Sequence, residues 1–371
     1  MTLLVRPATP ADGRARCDLF ARIAMPADLE LSVRRDPDFD ALYRLQSDRW
    51  ASRVVDLDGT IEGMGTVLVR DGYLGGAPRP LGYLGDLRLS PRSGGRHLLH
   101  RSYAPLLREA AACSGCNLFL AAFIASNGRA LRALTAESRR TPDWPRHTLL
   151  AEFQIRSVHL LVPRRRRAAT FRVRRAEERD VPRIAAFLDQ DARRRPFGYV
   201  FTEDELRRRL ATWPGLAPAS FYLAEDGAGH LAGCVAVWDA APMKRTVVQA
   251  YRGAMRRVRL GHDLLASLLR APRLPSPGEA FRYLYATHLA VPSDDPLVLR
   301  VLLEAVYADY LGSGYHFISW FVLAHDSLAP AFRGFWYTDL PARLYVVSLP
   351  GVDPSQACFA PARPGFEMAL V

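Results

Sequence analysis

The sequence predicts an α/β protein in which one unit, β-α-β-β-β-α-β-α-β, occurs twice in tandem. Three observations carry that expectation. VRPATPADGRARCDLF from Val5 and VRRAEERDVPRIAAFL from Val173 share V-R-x-A-x-x-x-D at an offset of 168. The same offset sets Asp58-Gly59 against Asp226-Gly227, and Gly65, Val67 and Val69 against Gly233, Val235 and Val237. It then grows to 201, where Pro91 meets Pro292, so the second copy carries about 33 extra residues, and these are strongly basic. A chance alignment does not hold one register across separate elements.

The elements follow in order in each copy. A short strand meets an N-terminal helix signal, Thr/Pro/Asp or Glu/Asp, whose carboxylate satisfies free amides of the first turn. Two strands joined at Asp-Gly come next, because glycine accepts the positive φ of a tight hairpin. A longer strand ending in proline follows, GYLGDLRLSP or RYLYATHLAVP. The next helix is amphipathic, with Leu98, Leu99, Leu106 and Leu107 on one face of the first copy. A buried strand, NLFLAAFI or FISWFVLA, precedes another helix and the final strands. The repeat predicts a first domain over 1–162, a basic linker over 163–170 and a second domain over 171–371 with a basic insertion at about 240–280.

Composition bounds the function. A chain of 371 residues accommodates two cores, and 49% hydrophobic with 24% charged residues is an ordinary folded composition. The N-terminus has only a four-residue apolar stretch before Arg6, which predicts neither a signal peptide nor a membrane span. Five scattered cysteines predict reduced thiols in a cytoplasmic protein. Cys113-x-x-Cys116 lacks a second ligand pair, so it is expected to be a turn and no metal is expected. Net charge is +12, almost all arginine, and Lys244 is the one lysine. The insertion at 243–274 mixes Val247, Val248, Tyr251, Met255, Val258 and Leu265 with Arg252, Arg256, Arg257 and Arg259. Three uses compete for it: a lid over the second copy's sheet, contact with an anionic membrane, or accommodation of an acyl chain. Without an aromatic RNA motif or a recognition helix, the charge does not argue for nucleic acid.

Element order, the opening V-R-x-A-x-x-x-D, the proline-ended strand before a glycine turn, and Asn127 in SNGRALRAL, similar to N-x-x-A, together resemble the GNAT superfamily of acyl-CoA N-acyltransferases. The resemblance covers nearly the whole chain as two copies. It implies two GNAT-like domains, each a mixed, mostly antiparallel sheet flanked by helices. It also implies that the fourth and fifth strands splay, that pantetheine lies in the gap, and that the turn after the fourth strand, normally R/Q-x-x-G-x-G/A, holds the pyrophosphate.

Converging amides at a helix N-terminus attract an anion, and glycine lets the backbone approach it. In LRLSPRSGGRHLL the usual spacing puts Gly94 for Arg/Gln and His97 and Leu99 for both glycines; a turn shorter by two gives Arg92-x-x-Gly95-x-His97. On the resemblance, the candidate cofactor-binding residues are Leu87, Leu89, Arg92, Gly94, Gly95, Arg96, His97 and Asn127. The second copy's PSDDPLVLR brings Asp294 and Asp295 to the phosphate position and removes an amide at Pro296, and Asp326 replaces the asparagine. That copy is expected to be structural or substrate-shaping.

Acyl transfer needs an aligned amine, a polarised carbonyl and a route for a proton. On the resemblance, Asp86 on the fourth strand is the candidate base, set against a role as a structural carboxylate pairing with Arg88 or its neighbours. The usual tyrosine acid is missing, since Leu134 stands seven residues after Asn127. His288 on the second fourth strand is the other titratable candidate, against a partly buried structural histidine. The expected activity is transfer of an acyl group, acetyl in the first instance, from acetyl-CoA or another acyl-CoA to a small-molecule or peptide amine. The alternative is a catalytically inactive GNAT-fold binding or scaffold protein, membrane-peripheral through the insertion. Oligomeric state is not encoded legibly.

Overall fold

A computed structural model describes residues 2–23, 28–93, 96–137, 144–164, 170–269, 271–355 and 363–371. The first half runs β1 (Leu3–Pro7), α1 (Gly13–Arg22), β2 (Leu29–Arg34), α2 (Ala41–Arg44), β3 (Arg49–Leu57), β4 (Thr60–Leu74), β5 (Ala77–Leu89), α3 (Arg96–Ser114), β6 (Leu118–Ile124), α4 (Gly128–Glu137) and β7 (Arg146–His159). The second runs β8 (Arg172–Arg175), α5 (Val181–Arg193), β9 (Gly198–Tyr199), α6 (Glu203–Thr212), β10 (Phe221–Glu225), β11 (Leu231–Trp238), β12 (Arg245–Tyr251), α7 (Gly253–Leu269), β13 (Tyr283–Ala290), α8 (Pro296–Tyr310), β14 (Phe317–Leu323) and β15 (Tyr337–Ser348). The fourth strand of each unit is thus β5 or β13, and the fifth is β6 or β14.

The repeated motif has a physical cause. Arg6 forks onto Asp12 with two 2.8 Å bonds, and Arg174 onto Asp180 with two of 2.7 Å. Each carboxylate also accepts a main-chain N–H, from Thr9 or Glu177, which fixes the turn from strand to helix. The arginine partner holds both aspartates well below the usual carboxylate range. One Asp-Gly pair behaves as expected: Asp58 and Gly59 take φ of +50° and +81° between β3 and β4. In the second copy Asp226 instead accepts from the amides of Ala228 and His230, and Gly229 takes the left-handed position at +82°. The Cys113–Cys116 segment is a turn, closed by Gly115 at φ +68° with its N–H on Ala111.

A single 13-stranded sheet spans both halves in the order β1-β3-β4-β5-β6-β15-β7-β14-β13-β11-β10-β8, with β9 on β4. It is mixed but mostly antiparallel, β5–β6 and β13–β14 being the parallel pairs. The final strands are exchanged. β15 of the second half inserts between β6 and β7, running from Tyr337 opposite Val158 to Ser348 opposite Arg146, while β7 pairs with β14. Helices cover both faces. Leu106, Leu107 and Ala110 of α3 pack on Val67, Phe119 and Val347, and Leu302, Leu303 and Val306 of α8 on Val235, Val237 and Ile318. Each buried Leu, Val, Ile or Phe among them contributes roughly 1.5–3 kcal/mol. Because Val347 belongs to β15, the first copy's core is completed by the second half of the chain.

The insertion also joins the halves. β12 pairs with β2, from Arg245 opposite Arg34 to Tyr251 opposite Leu29, as a separate two-stranded sheet. Val248, Tyr251 and Phe281, with Met255 of α7, pack on Tyr283 of β13 and Phe317 of β14. Among the described residues no helix is long and apolar enough to cross a membrane.

Candidate functional site

Both fourth strands break register at one place. Thr66 faces Gly85 and Met64 faces Arg88, so Asp86 and Leu87 oppose one residue of β4. Ala236 faces Thr287 and Cys234 faces Ala290, so His288 and Leu289 oppose one residue of β11. In each bulge the first extra residue is left-handed, Asp86 at φ +56° and His288 at +51°. The two sequence candidates are therefore counterparts. Pairing to the fifth strand stops beside each bulge, at Leu84 opposite Ala121 and at Tyr285 opposite Ser319. Beyond those points the parallel pairing ends, and among the described residues the β6-side edge of residues 85–89 has no strand partner.

The side chain of Asp86 turns onto one face of the sheet, into a buried polar group. Arg35, on the segment after β2, donates to it twice, at 2.6 and 3.1 Å, and Tyr43 donates from its hydroxyl. Tyr43 also reaches Thr66 at 3.0 Å, and Thr66 reaches Ser52 at 2.7 Å. Arg35 is 3% exposed and stacks 5.1–5.5 Å from the rings of Phe20, Phe39 and Tyr43. Burial and then Asp86 push the Tyr43 phenol well above its usual range, so it stays a donor. Arg88, the partner expected for Asp86, lies instead over the ring of Phe20 at 4.6 Å. Arg35, Tyr43, Thr66, Tyr83, Asp86 and Val371 line a cavity of about 10 Å³, roughly the room for one water.

Lys244 enters this region from the second half. It immediately precedes β12, so the β2–β12 pairing that seats Arg35 also brings Lys244 in. It is 5% exposed, donates to the main-chain oxygen of Val371, and its ammonium lies 4.6 Å from the centre of the Tyr285 ring. Burial first and repulsion by Arg35 second push its pKa down to about 7, against the pull of Asp86 and Glu367. Sequence reasoning did not reach Arg35, Tyr43 or Lys244 as site residues. Lys244 did carry a signal, as the one lysine among 50 basic residues. A guanidinium cannot give up its proton near neutrality, whereas a buried amine can.

The remaining candidates follow the strand outward. Leu87 and Leu89 are half-buried, packing toward α3 on the stretch past the end of that pairing. Arg92 leaves its head largely exposed, tied at 3.3 Å to Glu62, which is 1% exposed and also holds Arg22 at 3.2 Å. Gly94 and Gly95 lie outside the described residues, as do the side chains of Arg96 and His97; the backbone of α3 begins at Arg96. Asn127 is exposed and opens α4, its carbonyl accepting from Leu131 at 3.3 Å. Leu134, in the place of a tyrosine, is 1% exposed, and its carbonyl takes the indole N–H of Trp144.

His288 sits in a closed setting. It is 3% exposed and ringed by Phe201, Trp213 and Phe221 at 5.2–5.6 Å. Arg209 lies 3.1 Å from Nε2 and can only donate, so Nε2 accepts and Nδ1 carries the proton toward Thr287 at 3.0 Å. Burial, then Arg209, hold the imidazole neutral well below its usual pKa. At the second turn Asp295 caps α8, accepting from Leu297 at 2.8 Å, so a carboxylate already occupies the helix N-terminus. Asp326, in the asparagine position, is bound twice by the buried Arg363.

No protein-family model matches the sequence, and no match was found among curated proteins. Solved structures do match. N-myristoyltransferase of Saccharomyces cerevisiae with bound myristoyl-CoA aligns with a TM-score of 0.61 at 10% identity, over 95% of this chain and 86% of that one. A GCN5-related N-acetyltransferase from Anabaena variabilis gives 0.51 at 11% identity over 93% and 72%, and a conserved protein of unknown function from Enterococcus faecalis, a probable N-acyltransferase, gives 0.51 at 11% over 94% and 73%. At these identities the likeness concerns backbone architecture, and it extends over both halves of the chain. The chain therefore shares the fold of these N-acyltransferase structures across both of its halves.

Proposed function

We propose that the protein is an acyl-CoA-dependent N-acyltransferase whose first copy, residues 1–162, binds the thioester and whose second, 171–371, shapes the acceptor cleft. One observation carries this reading: the pairing of β5 with β6 ends at Leu84 and Ala121, directly beside the bulge that presents Asp86. The free strand edge at residues 85–89 suits an amide-bearing pantetheine arm. Arg92 precedes the N-terminus of α3, and a helix N-terminus with a nearby arginine favours a diphosphate. Acetyl-CoA and a small or peptide amine are the co-substrates proposed in the first instance.

The chemistry asked of the chain is modest. The acceptor amine, once neutral, attacks the thioester carbonyl carbon, the C–N bond forms, the C–S bond breaks, and the amine's proton must leave while the thiolate gains one. Asp86, gripped by Arg35 and Tyr43, holds an oriented negative charge for the incoming ammonium. Lys244, buried with a pKa near 7, can accept or return a proton at neutral pH. His288, sealed among aromatic rings, is proposed as a support for the second bulge and not as a base. Calorimetric titration with acetyl-CoA and longer acyl-CoAs tests the reading, with micromolar binding by at least one expected. No binding by any would overturn it.

A second reading rests on the same carboxylate. Because Arg35 and Tyr43 already engage Asp86, the first copy could hold acyl-CoA without turning it over. Acyl-CoA binding with no CoA release across a panel of amines would favour that binding protein.

A further inference from the structure

We propose that α7 docks the protein on an anionic lipid bilayer. Two faces of the helix are set apart: Met255, Arg259, Asp263 and Ala266 face the protein, and Leu260, Leu264 and Leu268 face out. Arg259 stacks on Tyr251 at 4.8 Å and donates to Ser276 at 3.1 Å, while Asp263 accepts from the main chain of Leu274 at 2.9 Å. These contacts tie the inner face to the returning segment. On the outer face Leu260, Leu264 and Leu268 are 73%, 77% and 80% exposed. At four-residue spacing they lie within about 80° of arc, a single stripe along the helix.

Charge decides what covers that stripe. Arg256 and Arg257 are exposed at its N-terminal end, and Arg257 falls within the arc of the leucines. The one carboxylate on α7, Asp263, is turned inward. A basic apolar strip on a protein of net charge +12 complements anionic headgroups and repels a second copy of itself. A helix of 17 residues lying flat sinks its leucines to the level of the upper acyl chains while its arginines stay among the phosphates. With no helix of spanning length among the described residues, this would be contact with the surface. The proposal does not depend on acyl transfer.

The test uses the full chain in co-sedimentation with vesicles of phosphatidylcholine, with and without one third phosphatidylglycerol, at low and high salt. Anionic vesicles should carry the protein down, and high salt should release it. Leu260→Glu/Leu264→Glu should weaken binding at least ~100-fold, tenfold or more per leucine, with the melting transition unchanged because both side chains are exposed. Arg256→Glu/Arg257→Glu should abolish the preference for anionic over neutral vesicles. Failure of the wild type to sediment, or equal binding by the leucine variant, would overturn the proposal. A concentration-dependent dimer lost in Leu264→Glu, without vesicle binding, would assign the face to a second copy and overturn it equally.

Discussion

Replacing Lys244 by Met should alter stability in a way that depends on pH over a defined window. The amine is 5% exposed, and its folded pKa of about 7 lies below the ordinary 10.5. Below pH 7 the amine is charged in both folded and unfolded states, so the cost of burying that charge is fully present. Between pH 7 and 10.5 the unfolded chain binds the extra proton, so the lysine's contribution becomes more favourable as pH rises. A depression of about 3.5 units corresponds to about 5 kcal/mol across the window, at 1.36 kcal/mol per unit. Lys244→Met removes that dependence. It also removes the hydrogen bond to Val371, worth about 1 kcal/mol in either protonation state. Relative to wild type, the variant should be more stable at pH 6 by about 3–4 kcal/mol, with that advantage vanishing by pH 10. Urea unfolding of both proteins at several pH values reads this directly, since groups common to both cancel in the difference. A difference constant from pH 6 to 10 would refute the buried, proton-releasing amine.

Other outcomes follow from single contacts. Asp86→Asn should lower turnover by at least ~100-fold while calorimetry finds acyl-CoA affinity little changed, because the pantetheine contacts proposed are main-chain; equal turnover would remove the Asp86 charge from the proposed site. Arg35→Met, which strips the buried carboxylate of its partner, should cost about 3–5 kcal/mol in chemical denaturation. Gly82→Ala would bring a Cβ to 2.0 Å from the Phe119 ring, where β5 and β6 still pair, and should cost about 1–3 kcal/mol in thermal unfolding. Asp180 has its folded pKa lowered to about 2 by Arg174, so its stabilisation is present above pH 4 and is lost as pH falls toward 2. Asp180→Asn should therefore lose about 1–2 kcal/mol at pH 7, allowing for solvent at the quarter-exposed Arg174, with the deficit shrinking in acid.

The sequence by itself determined the local and repeated features. V-R-x-A-x-x-x-D could be found in both copies because its arginine and aspartate meet within seven residues, a closure that chain-local geometry dictates. Asp86 and His288 were legible as polar residues on otherwise apolar strands. That both occupy the left-handed position of a bulge was not, because the register break depends on β4 and β11 opposite them. Strand alternation says which face is buried but not which edge finds which partner, since every residue offers the same main-chain donor and acceptor. The exchange of β7 and β15 was therefore decided only by the tertiary structure, as was the pairing of β2 with β12. That second pairing brings Lys244 into the region of an aspartate 158 positions earlier. The outward turn of the α7 leucines was settled in the same way. A helical period fixes that a stripe exists, and only packing at Tyr251 and Ser276 fixes which side meets the protein.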